Sequence, residues 1–430
     1  MTDVYDVDGA PAAIRAGIIA TGGMGNVFLK AGTFPWNGET VAVPDGVNIL
    51  TTGYAGCSSH PNWTTYVAPT ILHNNVRGRT MFSLYRTTGS RISGIQMEAT
   101  PPTTPDSGEQ GDAIVLTQCK NFRVDHCTLI NFAADSIVNQ LNWEQGTSAY
   151  GLVDHCYLYE PYKLDGRNWL WAYGIYGIGI MSGGKGAWDP DLSHFLGKYQ
   201  AVTNCAMTYM EDCHFSYNRH ATDGIQGAWN VVRYCLCDHN YPNYGSIDLH
   251  GPTGPTSDDW YGGRGMEAYE NTINGVEGEN GNNASIRLRG GAGFFFNNKT
   301  NGVDPASYGI QLDNYDGTNP AMAAIHDTYV WNNTAINCIP LNVLQGILNT
   351  DYWRGTLTQN PDGSWTLPAL AGKSAITYMP YTYPHPLTWG DEPLFDLSIK
   401  ANIAASFNLD KILSASTHVK LITRNRLYFK

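Results

Sequence analysis

The 430-residue chain predicts an all-β solenoid of short stacked rungs, and three observations predict it. A phrase recurs: aliphatic, two polar residues, Cys or Asn, any residue, apolar. It reads Val124-Asp125-His126-Cys127-Thr128-Leu129 and Val153-Asp154-His155-Cys156-Tyr157-Leu158, then returns around Cys213 and Cys235 and, with Asn in place of Cys, at Asn271, Asn298 and Asn333. The spacing is irregular while the core of the phrase is intact, which marks rungs carrying insertions. The segments between copies are short, β-rich and broken by Asn and Gly, with no amphipathic helix long enough for a βαβ crossover.

The elements follow in order. Residues 10–21 have helical composition, and Ile14, Ile18 and Ile19 suggest an apolar face. Residues 26–34 predict a strand ending in a Gly turn, and 40–50 predict two short strands around Pro44-Asp45-Gly46. Taking Gly94 as the first copy, the repeat positions are 94, 127, 156, 213, 235, 271, 298 and 333. The step of 57 between Cys156 and Cys213 is wide enough for two rungs, the hidden one near residues 173–181. Loop-rich stretches at 58–66, 99–112, 143–148, 163–171, 183–199 and 251–265 would align as insertions on one face, the face that usually binds. The chain thus divides into a cap with the first strands (1–50), rungs with insertions (51–345) and a C-terminal cap or tail (346–430). The final stretch, 397–430, could pair on the last rung or with a neighbouring chain.

Composition narrows the partners. Charged residues are only 15%, while Gly (47) and Tyr (26) suit tight turns and leave aromatics for a surface. A net charge of −12 argues against nucleic acid, which needs a basic face, and against an anionic membrane. No apolar run is long enough to span a bilayer, and the first residues show no signal peptide. The nine Cys are an odd number. Rungs stack about 4.8 Å apart, but side chains in register point the same way, whereas a disulfide needs a dihedral near 90°. Cys127, Cys156, Cys213 and Cys235 are therefore expected as buried free thiols in one column.

The cap segments 27–34 and 41–50, and the repeated Val-Asp-His-Cys-x-Leu phrase, resemble the pectate-lyase-like superfamily over roughly residues 10–340. The resemblance implies a right-handed single-stranded parallel β-helix with an N-terminal cap and a Cys/Asn column at an inner bend. It implies no single activity, since that superfamily includes polysaccharide lyases, glycoside hydrolases, phage tailspikes and adhesins. The ordered catalytic set of polygalacturonase-like hydrolases is absent. Asn349-Thr350-Asp351 falls after the rungs, Asp258-Asp259 sits in a loop, and Ile286-Arg287-Leu288-Arg289 matches the last element only loosely.

The densest polar cluster supplies the catalytic candidates: Arg219, His220, Asp248, His250 and Arg264, with Asp223 and Glu267 nearby. A β-eliminating lyase needs a base for the C5 proton, cations to neutralise the uronate and an acid for the leaving oxygen. His220 or His250 could be the base, and Arg219 or Arg264 the cation. A hydrolase instead needs two carboxyls at a set separation, for which Asp223, Asp248 and Glu267 are available. Ion pairs tying a long loop to the rungs are the plainer reading of the same residues. Stacked His126 and His155, each beside Asp and Cys, could bind zinc but read more simply as a side-chain ladder. Asp106, Glu109 and Asp112 could hold Ca2+ through oxygens, though without a defined loop pattern. Trp169, Trp171, Tyr173, Trp260 and Tyr261 are the candidate substrate-binding aromatics, since exposed rings stack on sugar faces.

The resulting expectation is a glycan-engaging solenoid that binds a polysaccharide or cell-surface glycan and cleaves it by lyase-type elimination, extracellular or virion-associated. The competing expectation is a non-catalytic adhesive or tailspike subunit, a homo-oligomer and a trimer if tailspike-like.

Overall fold

A computed structural model describes residues 2–51, 69–101, 111–141, 146–160, 173–179, 192, 195–199, 204–238, 240, 245–251, 262–275, 284–302, 304–313 and 324–388, and the strands Lys420–Ile422 and Arg426–Tyr428. The strands stack into three long sheets, all of whose pairings are parallel, of twelve, ten and ten strands. Each rung contributes one strand to each sheet in turn. One rung runs Lys120–Asp125, Thr128–Ile130, Asp135–Gln140; the next runs Ser148–Asp154, Tyr157–Tyr159, Tyr173–Ile178. Inward-facing buried residues alternate with more exposed ones along strands such as Val41–Val43 and Thr70–Asn74, and one core of Val, Ile, Leu, Met and Cys extends along the axis.

The helix Pro11–Ala20 caps the first rung, with Pro11, Ile14, Gly17 and Ile18 buried. A Cβ at Gly17 would come within 2.9 Å of Val27, so the helix lies close against the first strands. Ile19 departs from expectation: it is exposed, because the helix has one narrow buried side.

The recurring phrase is the corner between the first and second sheets. Its third residue takes the left-handed conformation at His126 (φ 53°), His155 (52°), Asp212 (54°), Tyr234 (55°), Glu270 (58°), Asn297 (53°) and Asn332 (54°). For a non-Gly residue this costs roughly 1–2 kcal/mol. The corner N–H bonds across to the next rung, as from His126 to the Asp154 carbonyl (3.1 Å) and from Glu270 to that of Phe296 (3.2 Å). Gly94 belongs to this left-handed position (φ 75°), opposite His126, because Ser93 pairs with Asp125. The expected alignment of Gly94 with Cys127 is therefore off by one, and Ile95 stands opposite the thiol.

The column itself is as expected. Cys127, Cys156, Cys213 and Cys235 are buried free thiols. Each Sγ donates to a carbonyl of the preceding rung, those of Ile92, Val124, Val153 and Met210, at 3.6–3.8 Å. Asn271, Asn298 and Asn333 donate to the equivalent carbonyls of Val232, Ala268 and Phe295 at 2.8–2.9 Å. Each of these Asn also accepts from a backbone N–H of the preceding rung, at 2.9–3.2 Å. The shared carbonyl acceptor explains why either residue fits.

The step of 57 does not hold two rungs. Strand Ser148–Asp154 pairs directly with Cys205–Glu211, so the step holds one rung and a long insertion. Residues Tyr173–Ile178 are the third-sheet strand of that rung. On the outer face of the first sheet, Tyr269, Phe296 and Trp331 stack at 4.5 and 4.4 Å, nearly parallel, and Trp365 and Tyr378 of the tail pack on them. Glu267 on the same sheet accepts hydrogen bonds from Tyr378 (2.5 Å) and Trp229 (3.2 Å). The first sheet continues to Tyr352–Gly355.

Candidate functional site on the third sheet

The third sheet brings separate insertions together. Strand His220–Ile225 lies between Tyr173–Ile178 and Ile247–Leu249, with Tyr173 opposite His220 and Tyr176 opposite Asp223. Thr222 pairs with Ile247, so Asp223 and Asp248 are neighbours on adjacent rungs. Asp248 in turn faces Arg287, and Arg289 follows at the end of that strand. The rung spacing of about 4.8 Å thus converts residues far apart in sequence into one polar group.

Its inner layer is enclosed. His220, Asp223 and Asp248 are essentially inaccessible, and candidate ligand atoms of the three all lie within 4.8 Å of one another. Arg289 closes on Asp248 through two hydrogen bonds, one from Nε to Oδ1 at 3.2 Å and one from Nη2 to Oδ2. His220 donates from Nδ1 to the Gly245 carbonyl at 2.6 Å, which turns Nε2 toward Asp248 Oδ2 at 3.7 Å. Burial pushes the imidazole down to about 3, helped by the guanidiniums of Arg219 and Arg289, so the ring is neutral and Nε2 carries a lone pair. Asp223 uses Oδ1 for the Gly224 N–H (2.6 Å), while Oδ2 accepts no hydrogen bond. Burial, then the charge of Asp248, raise the Asp223 carboxyl well above the usual range.

The outer layer is partly exposed. Arg219 and His250 are half-buried, and Arg287 pairs with Asp313 at 2.5 Å with modest exposure. His250 donates from Nδ1 to the Gly251 carbonyl at 2.9 Å. Burial and then Arg289, with Arg219 and Arg287 also acting, push this imidazole down to about 3. Beyond this layer, Gln140, Leu141, Tyr176, Ile178, Gly179, Ile225 and Gln226 line a cavity of about 250 Å³ on the same sheet.

Four of the five sequence-chosen catalytic candidates converge here: Arg219, His220, Asp248 and His250. Arg264 does not join them. It immediately precedes the strand Gly265–Tyr269 of the first sheet, with its guanidinium 5.5 Å over the Phe195 ring. Glu267 is likewise on the first sheet. Arg287 and Arg289, left aside in the sequence as a loose match, complete the group. Only the register of the third sheet places them. Tyr173, a candidate sugar-stacking aromatic, lies on a strand. Trp169, Trp171, Trp260, Tyr261, Asp106 and Glu109 lie outside the described residues. Asp112 bonds the Asp135 N–H at 3.3 Å, and burial raises it to about 6. His126 and His155 form the expected ladder, stacked at 4.7 Å, each bonded to its own preceding Asp.

Three parallel sheets, one strand of each per rung, decide the architecture. The fold is a right-handed parallel β-helix. No family model matches this β-helix, and no curated protein matches it. Solved structures of similar fold include an alginate lyase from Paenibacillus sp. str. FPU-7 (13% identity, TM-score 0.46, covering 82% of this chain and 99% of that one). Another is the ORF18 protein of Geobacillus virus E2 (10% identity, TM-score 0.47, 85% of this chain and 64% of that one). A third is the surface adhesin PfbA of Streptococcus pneumoniae (13% identity, TM-score 0.45, 88% of this chain and 100% of that one). At such identities the likeness concerns the fold alone. No helix among the described residues of this β-helix is long and apolar enough to cross a membrane.

Proposed function

We propose that the β-helix engages an extended, uronate-containing polysaccharide along its third sheet and cleaves it by β-elimination. The observation that carries this reading is the layering of the site: Arg219, His250 and Arg287 reach the surface over a buried floor of His220, Asp223, Asp248 and Arg289. Guanidiniums are suited to a sugar carboxylate, whose charge must be neutralised before its C5 proton becomes acidic. The cationic edge also answers the difficulty of a −12 chain holding a polyanion, by making attraction local. His250, donating from Nδ1, presents Nε2 as the proton acceptor. Such a substrate places the protein outside cells or on a virion. Incubation with a panel of polyuronates tests this by the ultraviolet absorbance of unsaturated products. New reducing ends without that absorbance would replace elimination by hydrolysis at the Asp223–Asp248 pair. No cleavage at all would end the enzymatic reading.

A second reading, a non-catalytic subunit of a tailspike or surface assembly, is favoured by the last rungs. Among the described residues, Ile336, Ile339, Leu344, Ile347 and Leu348 are exposed there, at the end of the stack. A solenoid end of this kind needs a cover. That reading expects a stable homo-oligomer, a trimer if tailspike-like. A monomeric mass at micromolar concentration would rule against it.

A further inference from the structure

The buried floor contains more carboxyl than the neighbouring cations satisfy. Arg289 is committed to Asp248 and Arg287 to Asp313. Asp223 makes no ion pair among the described residues, and its Oδ2 has no hydrogen-bond partner although the residue is completely enclosed. Asp135, also with an unpartnered oxygen, lies close enough for its charge and that of Asp223 to repel. An isolated buried carboxylate costs several kcal/mol or more unless a proton or a cation joins it. Opposite Asp223 stand a second carboxylate and an imidazole nitrogen whose ring spends its proton on the Gly245 carbonyl. These candidate ligand atoms all lie within 4.8 Å of one another.

We propose that His220, Asp223 and Asp248 hold a divalent cation of the transition-metal type. One imidazole and two carboxylates suit Zn2+, Mn2+ or Co2+ better than Ca2+, which takes six to eight oxygens. Three protein ligands leave a coordination position open, as in catalytic rather than structural sites. The carbonyl of Gly245 sets the tautomer of His220, and Arg289 orients Asp248, so both ligands have the outer support that metal sites use. The proposal rests on the elimination reading only for what the ion does there, as a further counter-charge for the sugar carboxylate. Binding itself stands separately.

Titration of the full metal-free chain with Co2+ alone, followed by visible d–d absorption and by calorimetry, tests it. One ion per chain is expected, displaced by Zn2+, with affinity falling by about tenfold or more in Asp223→Asn and in His220→Gln. Asp223→Asn keeps the shape and removes the buried charge. Its melting curve reports folding, and an unfolded variant leaves His220→Gln and the wild-type stoichiometry to decide. Absence of a cobalt spectrum in the wild type, or a spectrum and affinity unchanged in both folded variants, overturns the proposal. A chain that binds one ion yet leaves every polyuronate intact keeps this inference and removes the lyase. A chain that cleaves with no bound ion does the reverse.

Discussion

Arg289 at the end of one third-sheet strand closes on Asp248 in the middle of its neighbour, and both are almost wholly enclosed. The pair joins two successive rungs and fixes the floor on which His220 and Asp223 sit. Removing one partner strands the other charge. Arg289→Met is therefore expected to destabilise the protein by about 3–5 kcal/mol. The double variant Arg289→Met/Asp248→Leu, which removes both charges, should recover most of it. Denaturant midpoints for the three proteins check this. Equal loss in single and double variants would mean that the guanidinium matters through packing.

The Cys/Asn column predicts an ordering. Asn298 donates to Ala268 (2.8 Å) and Asn333 (2.9 Å), and its Oδ1 accepts from Asn271 Nδ2 at 3.0 Å. Asn298→Ala leaves several buried groups unpaired, each costing about 1–3 kcal/mol. Cys156→Ala loses only a weak thiol contact and a small buried volume, so the Asn substitution should be the more damaging. Urea unfolding of both variants decides the order.

Burial pushes the thiols of Cys127, Cys156 and Cys213 well up from their usual range, and no solvent reaches them. Alkylation of the native protein should leave these three unmodified, and full reaction should require denaturant. Mass mapping of the modified peptides provides the check. Rapid native labelling of Cys156 would contradict a continuous column.

Two groups at the contact between the tail and the first sheet titrate with opposite sign. His385 is held down to about 3 by burial and by the Arg233 guanidinium, against about 6.5 unfolded. Below pH 6.5 the unfolded chain takes the proton and the native one does not, so stability is lost as pH falls from 6.5 toward 3. Burial raises Glu267 to about 7, against about 4.3 unfolded. Here the unfolded chain loses its proton first, so stability present at low pH is lost as pH rises from about 4.3 to 7. Each slope is about 1.4 kcal/mol per pH unit within its window. His385→Gln should flatten the acid limb, and Glu267→Gln the limb up to pH 7, in melting temperatures measured across pH 3–9.

Much of the fold was legible in the sequence because the corner phrase carries it. A left-handed residue followed by a donor to one carbonyl tolerates few side chains, so the phrase survives insertion after insertion. The off-by-one placement of Gly94 shows the limit: glycine answers a demand on φ, not on the donor column. The site was legible only in part. Arg219, His220, Asp248 and His250 lie close enough in sequence to read as a cluster. Arg287 and Arg289 join it through strand register, which depends on how many residues each insertion takes out of the rung. Arg264 looked equivalent in sequence, yet its strand belongs to another sheet.

The elimination reading turns most directly on His250. On the polyuronate that the wild type cleaves fastest, the ultraviolet rate should fall by about 100-fold or more in His250→Ala, the scale of a lost general base. Arg219→Ala should chiefly raise KM. A His250→Ala variant that folds normally and cleaves at the wild-type rate would contradict the account of this site.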